Sequence, residues 1–402
     1  MASTALEGSR LHRWLVGFNA LAEWPIWLTG GVVLLAIGGV TGLWWLFVGA
    51  AGALYVATAQ VLFALTDVLI LVSVRRWRIS FGPVVPQLFN LECPRLVVAA
   101  LAAPMASWLG LSPTLAGVVI INLVASLALV WGALLEPQRI GLSHLSLVGD
   151  CLPRDAPPLR LLHISDLHVE RFGRREQRLL EMVRTIAPDL IVLTGDYLNL
   201  SCVDDPVAHA DARRVLAALA PDNGDFAPAG VYAVLGSPPV DRNSASLFHN
   251  LPIHLLRDQV VVVDLPSGGP TEGKSSRLAL LGLDCSHHPE WDGQRLSTVA
   301  AQAPSDAFRI LLYHSPELMP LAPEFDINLY LCGHTHGGQV RLPLYGALLT
   351  SSRLGKRFEM GHYRLGATHL YVSRGLGLEG MGAPRVRFLS PPEITLFSLS
   401  GG

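Results

Sequence analysis

Four apolar stretches, near residues 27–50, 52–74, 96–111 and 114–135, fill most of the chain before Gln138. A bilayer core takes roughly 20 residues of apolar helix, and three of the four stretches reach that length. The third is short and holds Pro104, so a tilted, kinked or re-entrant path is expected there. Glycine and alanine recur through all four, which suits close helix packing in lipid. A cleavable signal peptide has one short apolar core and is not followed by three more. Residues 1–137 are therefore expected to form a four-helix transmembrane region, with the lipid bilayer as a partner.

Charge divides the chain at the same place. Only five of the 32 acidic residues (Glu7, Glu23, Asp67, Glu92 and Glu136) and one of the 14 histidines precede Gln138. The chain is 15% charged, against about a quarter in soluble domains. Its formal net charge of −2 argues against a nucleic-acid partner, which would call for a basic face. Arg10 and Arg13 precede the first stretch, Arg75, Arg76, Arg78 and Arg95 separate the second from the third, and Arg139 follows the fourth. The other two connections carry no charge, so both termini are expected in the cytoplasm of a multi-pass cell-membrane protein. Asp67 stands inside the second stretch. It marks either an ion path or, more simply, a partner on a neighbouring helix. Five scattered cysteines with no CxxC spacing read as free thiols.

Residues 138–158 carry proline, glycine and mixed charge, and are expected to be an exposed juxtamembrane linker. Beyond them, short apolar runs end in polar turns. Runs at 159–164, 190–193, 231–235, 260–263, 278–283, 310–313, 327–331, 370–372 and 394–397 read as buried strands. Helical patterns cover 175–185, 208–219 and 295–302. Strands alternating with helices imply a layered α/β or α+β domain over 159–402. The Gly-, Ser- and Pro-rich stretch 266–276 reads as a surface loop.

The chemistry gathers where these strands end. Asp166 and His168 follow one run as Ser-Asp-Leu-His, and their i, i+2 spacing places both on one face of an extended segment. Asp196 follows the next run in Leu-Thr-Gly-Asp. His314 closes another, and His334 and His336 follow in Gly-His-Thr-His-Gly-Gly. Two carboxylates and four imidazoles suit Mn, Fe or Zn better than Ca²⁺ or an iron–sulfur cluster.

The series Asp166-x-His168, Gly195-Asp196, Gly236-x-x, His314 and Gly333-His334-x-His336 resembles the calcineurin-like metallophosphoesterases. The tail from Gly337-Gly338-Gln339 through Ser373-Arg374-Gly375 is similar to their bacterial membrane-associated branch. The resemblance spans roughly residues 159–399. It implies an α/β domain built as a four-layer αββα sandwich, with two divalent metal ions at the strand ends. On that resemblance Asp166, His168 and His336 would hold one metal, Asp196 would bridge, and His314 and His334 would hold the other. It also implies a hydrolase that cleaves phosphodiester or pyrophosphate bonds with a metal-activated water. Its substrates would be phosphorylated and, for this branch, lipid-linked.

One motif departs from the family. Where Gly-Asn-His is usual, this chain has Gly236-Ser237-Pro238. Asn would complete the second metal's ligands, and His would protonate the leaving group or neutralise phosphate charge. Serine is a poor ligand and proline donates nothing; loss of a general acid typically lowers a rate about 10²–10⁴-fold. Asp241 or Asn243 are candidate substitutes for the ligand, and His287 or His288 for the acid, although Pro238 and Pro239 favour an extended loop. Arg374 is a candidate phosphate contact or an ordinary surface arginine. Three functions follow. The first is a membrane-anchored phosphoesterase; the second is a catalytically impaired relative that binds metal or ligand as a regulator. The third gives the function to the membrane helices, with the polar domain regulating them.

Overall fold

The computed structural model describes residues 17, 20–76, 82–152, 156–220, 226–241, 243–265, 277–380 and 385–402. Arg10, Arg13, Arg78 and the 266–276 stretch lie outside them. The chain divides into two compact units, one holding the helices through Leu135 with residues 380–386, the other holding 136–379 and 387–402.

The first unit contains three helices long and apolar enough to cross a membrane. Helix α1, Ile26–Arg76, has 51 residues and would span about 75 Å if straight, more than twice a bilayer core. It is broken at Gly49, whose φ of 76° only glycine adopts freely. Val33 and Ile37 share an apolar cluster with Leu71 and Val74, so the two halves fold back on each other. The first two expected spans are thus one element with a break, and each half keeps membrane length. Helix α2, Val84–Leu109, is 26 residues long and runs on past Pro94 and Pro104, so the expected short or re-entrant third segment is instead a full-length helix. Gly110 turns the chain into α3, Leu111–Val130.

Arg95 is not a loop residue. It sits within α2, buried, and grips Asp67 of α1 with two hydrogen bonds of 2.9 Å. It also donates to Asn122 Oδ1 (3.2 Å) and Ser126 Oγ (2.9 Å) on α3. Asp67 therefore has the neighbouring-helix partner that the simpler reading called for. Removing one partner of a buried pair strands the other charge at a cost of about 3–5 kcal/mol, whereas an apolar replacement of both is often neutral. Asp67→Ala should accordingly lower the unfolding free energy in detergent by about 3 kcal/mol, while Asp67→Leu with Arg95→Met stays within about 1 kcal/mol of the parent. Equal losses in both variants, measured by denaturing-detergent titration, would contradict a purely structural pair.

The second unit stacks two six-stranded sheets. Strands β1 (Gly141–Gly149), β2 (Leu159–Ile164), β3 (Leu190–Thr194), β4 (Val231–Val234), β5 (His254–Leu255) and β14 (Glu393–Gly401) form the first, in the order β1-β14-β2-β3-β4-β5. The second runs β12-β13-β9-β8-β7-β6. Its strands are β6 (Gln259–Asp264), β7 (Arg277–Gly282), β8 (Phe308–Leu312), β9 (Leu329–Cys332), β12 (Gly361–Leu365) and β13 (Thr368–Val372). A small hairpin, β10 (Arg341–Leu342) with β11 (Gly346–Ala347), stands apart from both. The expected linker is not merely an exposed connector, because residues 141–149 of it pair in parallel along β14 at the sheet edge.

Successive residues of each strand point to opposite faces of its sheet. Leu190 and Val192 join Leu278, Leu280, Ile310 and Leu312 in the core between the sheets. Ile191 and Leu193 face outward onto helices α4 (Arg174–Ile186) and α5 (Pro206–Leu219). Ala279, Leu281 and Leu311 face the other way, onto helix α7 (Pro289–Ala300). Strands covered on both faces must be apolar at every position, which is why the sequence shows runs rather than alternation. The layers are helix, sheet, sheet, helix, as expected. Strands β2 to β5 run parallel, as do β7, β8, β9 and β13. Their carboxyl ends therefore deliver loops to one edge of the sandwich, where open parallel sheets bind ligands.

Candidate metal centre

Each of the six candidate ligands lies just past such a strand end: Asp166 and His168 after β2, Asp196 after β3, His314 after β8, His334 and His336 after β9. Asp166, His168 and His336 form one group, and Asp196, His314 and His334 a second, with one ligand atom from each residue of a group within 4.8 Å of the others. Asp196 Oδ2 lies 3.2 Å from His314 Nε2 and 3.7 Å from His168 Nε2, so it faces both groups. All six expected residues converge.

Their backbone explains how. The expected extended i, i+2 geometry is not what aligns them. Five of the six have positive φ: Asp166 50°, His168 40°, Asp196 55°, His334 70° and His336 51°. Non-glycine residues in such conformations cost about 1–3 kcal/mol each and persist only where the surroundings over-determine them. Here the loops are stitched together. Asp166 N donates to Gly195 O and His168 N to Asp196 O, both at 3.0 Å, and Gly377 N donates to Asp166 O at 2.7 Å. Two glycines permit the approach. A Cβ on Gly333 would lie 1.9 Å from Asp166 Oδ2, and one on Gly236 would lie 2.2 Å from Asp196 Oδ1.

The outer nitrogens of three imidazoles face backbone carbonyls. His314 Nδ1 faces Thr194 O at 2.7 Å, His168 Nδ1 faces Leu198 O at 3.2 Å, and His334 Nε2 faces Ser351 O at 3.2 Å. Donation there fixes the tautomer and turns the other nitrogen's lone pair inward, as second-layer partners of metal-binding histidines do. His168 Nε2 then lies 3.1 Å from His336 Nε2, and His314 Nε2 lies 3.2 Å from His334 Nδ1. Two inward lone pairs at that distance repel unless a proton or cation lies between them, and that donor set fits divalent cations.

Electrostatics agree. Burial drives His168 and His334 down to about 4 and His336 well below its ordinary value, so their lone pairs are free at neutral pH. Burial likewise lifts Asp166 to about 6. Burial opposes charge on Asp196 too, but His314's positive charge and hydrogen bond outweigh it and hold the carboxyl well below the carboxylate range. Burial lowers His314 in turn, yet the Asp196 charge lifts it to about 10. Without metal, a proton shared with Asp196 occupies the place of a cation.

The altered motif is not an extended loop: Pro238–Asp241 forms a short helical turn, α6, since proline is well suited to a helix's first position. Ser237 Oγ stands 3.2 Å from His314 Nε2 and 3.3 Å from Asp196 Oδ2, where the usual Asn would reach. Asp241 does not swing in. Its buried carboxylate accepts the backbone N–H groups of Asp196, Tyr197 and Gly236. Asn243 is exposed. The two loop histidines separate: the His287 ring packs 5.0 Å from His334, whereas His288 lies 4.4 Å from Trp291. Arg374 pairs with the buried Glu393 at 2.6 Å and so holds the sheet edge rather than a phosphate.

Arg387 carried no signal in the sequence. It is fully buried and donates to the carbonyls of Arg374, Gly375, Gly377 and Ser390, with one nitrogen 3.3 Å from His336 Nδ1. An arginine beyond the last motif, with no carboxylate partner among these contacts, gives no pattern to read. The five cysteines are free thiols, as expected.

The buried histidines set the acid stability of the metal-stripped protein. Between about pH 4 and 6.5 the unfolded chain protonates His163, His168, His287 and His334, which stay neutral when folded down to about 3 or 4. Outside the membrane-length helices, Asp166 and Asp241, both lifted to about 6 chiefly by burial, oppose this, as does His314 near pH 6.5. The unfolded state thus binds more protons, and stability rises with pH across this window. Melting temperature after chelation should fall steadily from pH 6.5 to 4.5; a flat or rising profile would contradict the arrangement.

Residues 159–338 match the calcineurin-like phosphoesterase family. An uncharacterized metallophosphoesterase of Bacillus subtilis, YkuE, is 31% identical over 272 residues, covering 66% of this chain and 87% of its own length. The phosphodiesterase YaeI of Escherichia coli is 29% identical over 257 residues, covering 61% and 83%. The UDP-2,3-diacylglucosamine pyrophosphatase LpxG of Chlamydia muridarum is 25% identical over 325 residues, covering 66% and 91%.

Proposed function

The chain belongs to the calcineurin-like phosphoesterases, and on that premise we propose that it is a membrane-anchored, metal-dependent hydrolase of phosphodiester or pyrophosphate bonds. The observation that carries this reading is the pair of Asp/His groups meeting at Asp196, with inward-facing nitrogens fixed by backbone carbonyls. In it Asp166, His168 and His336 hold one divalent ion, His314 and His334 hold another, and Asp196 serves both. Two such ions supply positive charge for the phosphate oxygens and acidify the attacking water.

The protein's own groups do the rest. Asp196 would serve both ions, and Ser237 N, donating to Asp196 Oδ1 at 2.7 Å, fixes the plane of its carboxylate. Gly333 and Gly236 leave room for the carboxylates to converge. Pro238 provides no proton for the leaving group, and the nearby His287, packed on His334, is held neutral at pH 7 by burial, which lowers it to about 4, so it does not replace the lost acid. Substrates whose leaving group needs little acid assistance, such as pyrophosphates, suit this site best. The named pyrophosphatase relative supports a lipid-linked substrate. Pro238 also favours a second reading, a catalytically impaired regulator that binds metal or ligand.

The helices of the first unit are divided at Gly49, between α1 and α2, and at Gly110, giving four apolar segments. We propose that all four cross the bilayer. Arg76 ends α1 and Arg139 follows α3, both away from the uncharged breaks at Gly49 and Gly110, which supports cytoplasmic termini even with Arg95 counted inside a helix. Residues 1–137 are then the membrane region and 159–402 the hydrolase domain, joined through 138–158, whose strand β1 belongs to the domain.

Purified protein should hydrolyse an activated aryl phosphodiester with Mn²⁺, and Asp196→Asn should lower that turnover at least 10³-fold. No turnover above the Asp196→Asn level would favour the regulator. Ser237→Asn combined with Pro238→His should raise turnover about tenfold or more, because it returns a ligand and a proton donor. An unchanged rate and metal content in that variant would contradict the motif alignment.

A further inference from the structure

The stretch that follows His336 is built unlike the rest of the domain surface. Among the described residues from 136 onward, eleven large apolar side chains are exposed, and five of them fall between 342 and 349: Leu342, Leu344, Tyr345, Leu348 and Leu349. They cluster on and just after the hairpin of β10 and β11. Leu344, at its tip, is fully exposed with a positive φ of 65°. An exposed leucine held in a conformation that favours glycine brings a turn no benefit of its own.

Charge flanks this apolar tip on one sign only. No acidic residue occurs between His336 and Phe358, while Arg353, Lys356 and Arg357 are all exposed. Lys356 Nζ lies 3.2 Å from the centre of the Tyr345 ring and donates to Tyr345 O at 2.9 Å. Arg341 is engaged with Glu359 at 2.8 Å and so belongs to the hairpin's support. An apolar tip with tyrosine beside it and a rim of exposed cations is the chemistry of a monotopic contact with an anionic bilayer. The same stretch also walls the metal centre, since Ser351 O faces His334 Nε2 at 3.2 Å and Leu349 and Ala347 pack on Gly338. Ten residues separate the end of α3 at Val130 from the start of β1 at Gly141, so the domain is tethered at a membrane by its own chain.

We propose that the 341–349 hairpin seats in the interfacial layer of the bilayer, with Arg353, Lys356 and Arg357 on anionic headgroups, and presents membrane-borne phosphodiesters to the adjacent site. The presentation step rests on the phosphoesterase reading; the docking does not. Residues that touch lipid would be Leu342, Leu344, Tyr345 and Leu348, and substrates in the membrane plane would meet the site along the hairpin.

The test uses the full chain in vesicles of phosphatidylcholine and phosphatidylglycerol, 70:30 (on the order of the anionic content that draws basic surfaces to membranes). A photoreactive benzoylphenylalanine replaces Leu344, and in a control replaces the exposed Val207. Illumination should add the mass of a phospholipid at position 344 at least tenfold more than at 207. Adducts to protein instead would mean that a second copy or a partner covers the hairpin, and would overturn the proposal, as would equal lipid labelling at both positions. In parallel, Leu344→Asp with Leu348→Asp should leave hydrolysis of a soluble aryl phosphodiester within twofold of the parent, and lower hydrolysis of a vesicle-borne phosphodiester at least tenfold. Equal effects on both substrates would overturn presentation. Lipid adducts at 344 with neither substrate hydrolysed would uphold the docking and sink the phosphoesterase reading instead.

Discussion

This domain packs two pairs of imidazole nitrogens face to face at 3.1 and 3.2 Å, each pair needing a proton or a cation between its members, around a carboxylate that faces both. Much of the surrounding architecture exists to hold that arrangement. Five of the residues concerned are kept at positive φ, and at about 1–3 kcal/mol each the strain sums to the scale of a domain's entire net stability. The offset comes from the sandwich, which buries apolar residues on both sheet faces, and from hydrogen bonds that stitch the strand-end loops to one another. Bound cations would add to it by replacing repulsion with attraction.

Much of this was legible in the sequence because its signals are local. The runs that became β2, β3, β4 and β8 are mostly apolar since both faces are covered, and polar residues just past them mark where the sheet ends. All six candidate ligands could be named because each follows such a run. What escaped depends on distant contacts. Strand β1 alternates in burial and exists only because β14, some 250 residues later, offers an edge. The two prolines at 238 and 239 suggested an extended path, but Asp241 anchors a helical turn there by accepting three backbone N–H groups. Arg95 looked like a loop charge because a bilayer disfavours arginine; its partner Asp67 lies 28 residues earlier on another helix.

The departure at Ser237 and Pro238 acquires a physical shape in the structure. Ser237 still reaches His314 and Asp196, so the second group is thinned rather than emptied. The proton donor is what the motif lost, and His287 is the imidazole that packs on the centre from outside it. A site with a thinned ligand set and a weakened acid is suited to good leaving groups. That agrees with the proposed pyrophosphate or diester substrates.

The account rests on six side chains holding two cations, and metal stoichiometry tests that most directly. Elemental analysis of the protein after loading with Mn²⁺ and desalting should find two ions per chain. His168→Ala and His314→Ala should each retain one, because each removes a ligand from a different group. Fewer than one ion in the parent chain, or an unchanged count in both variants, would contradict a two-metal centre built from these residues.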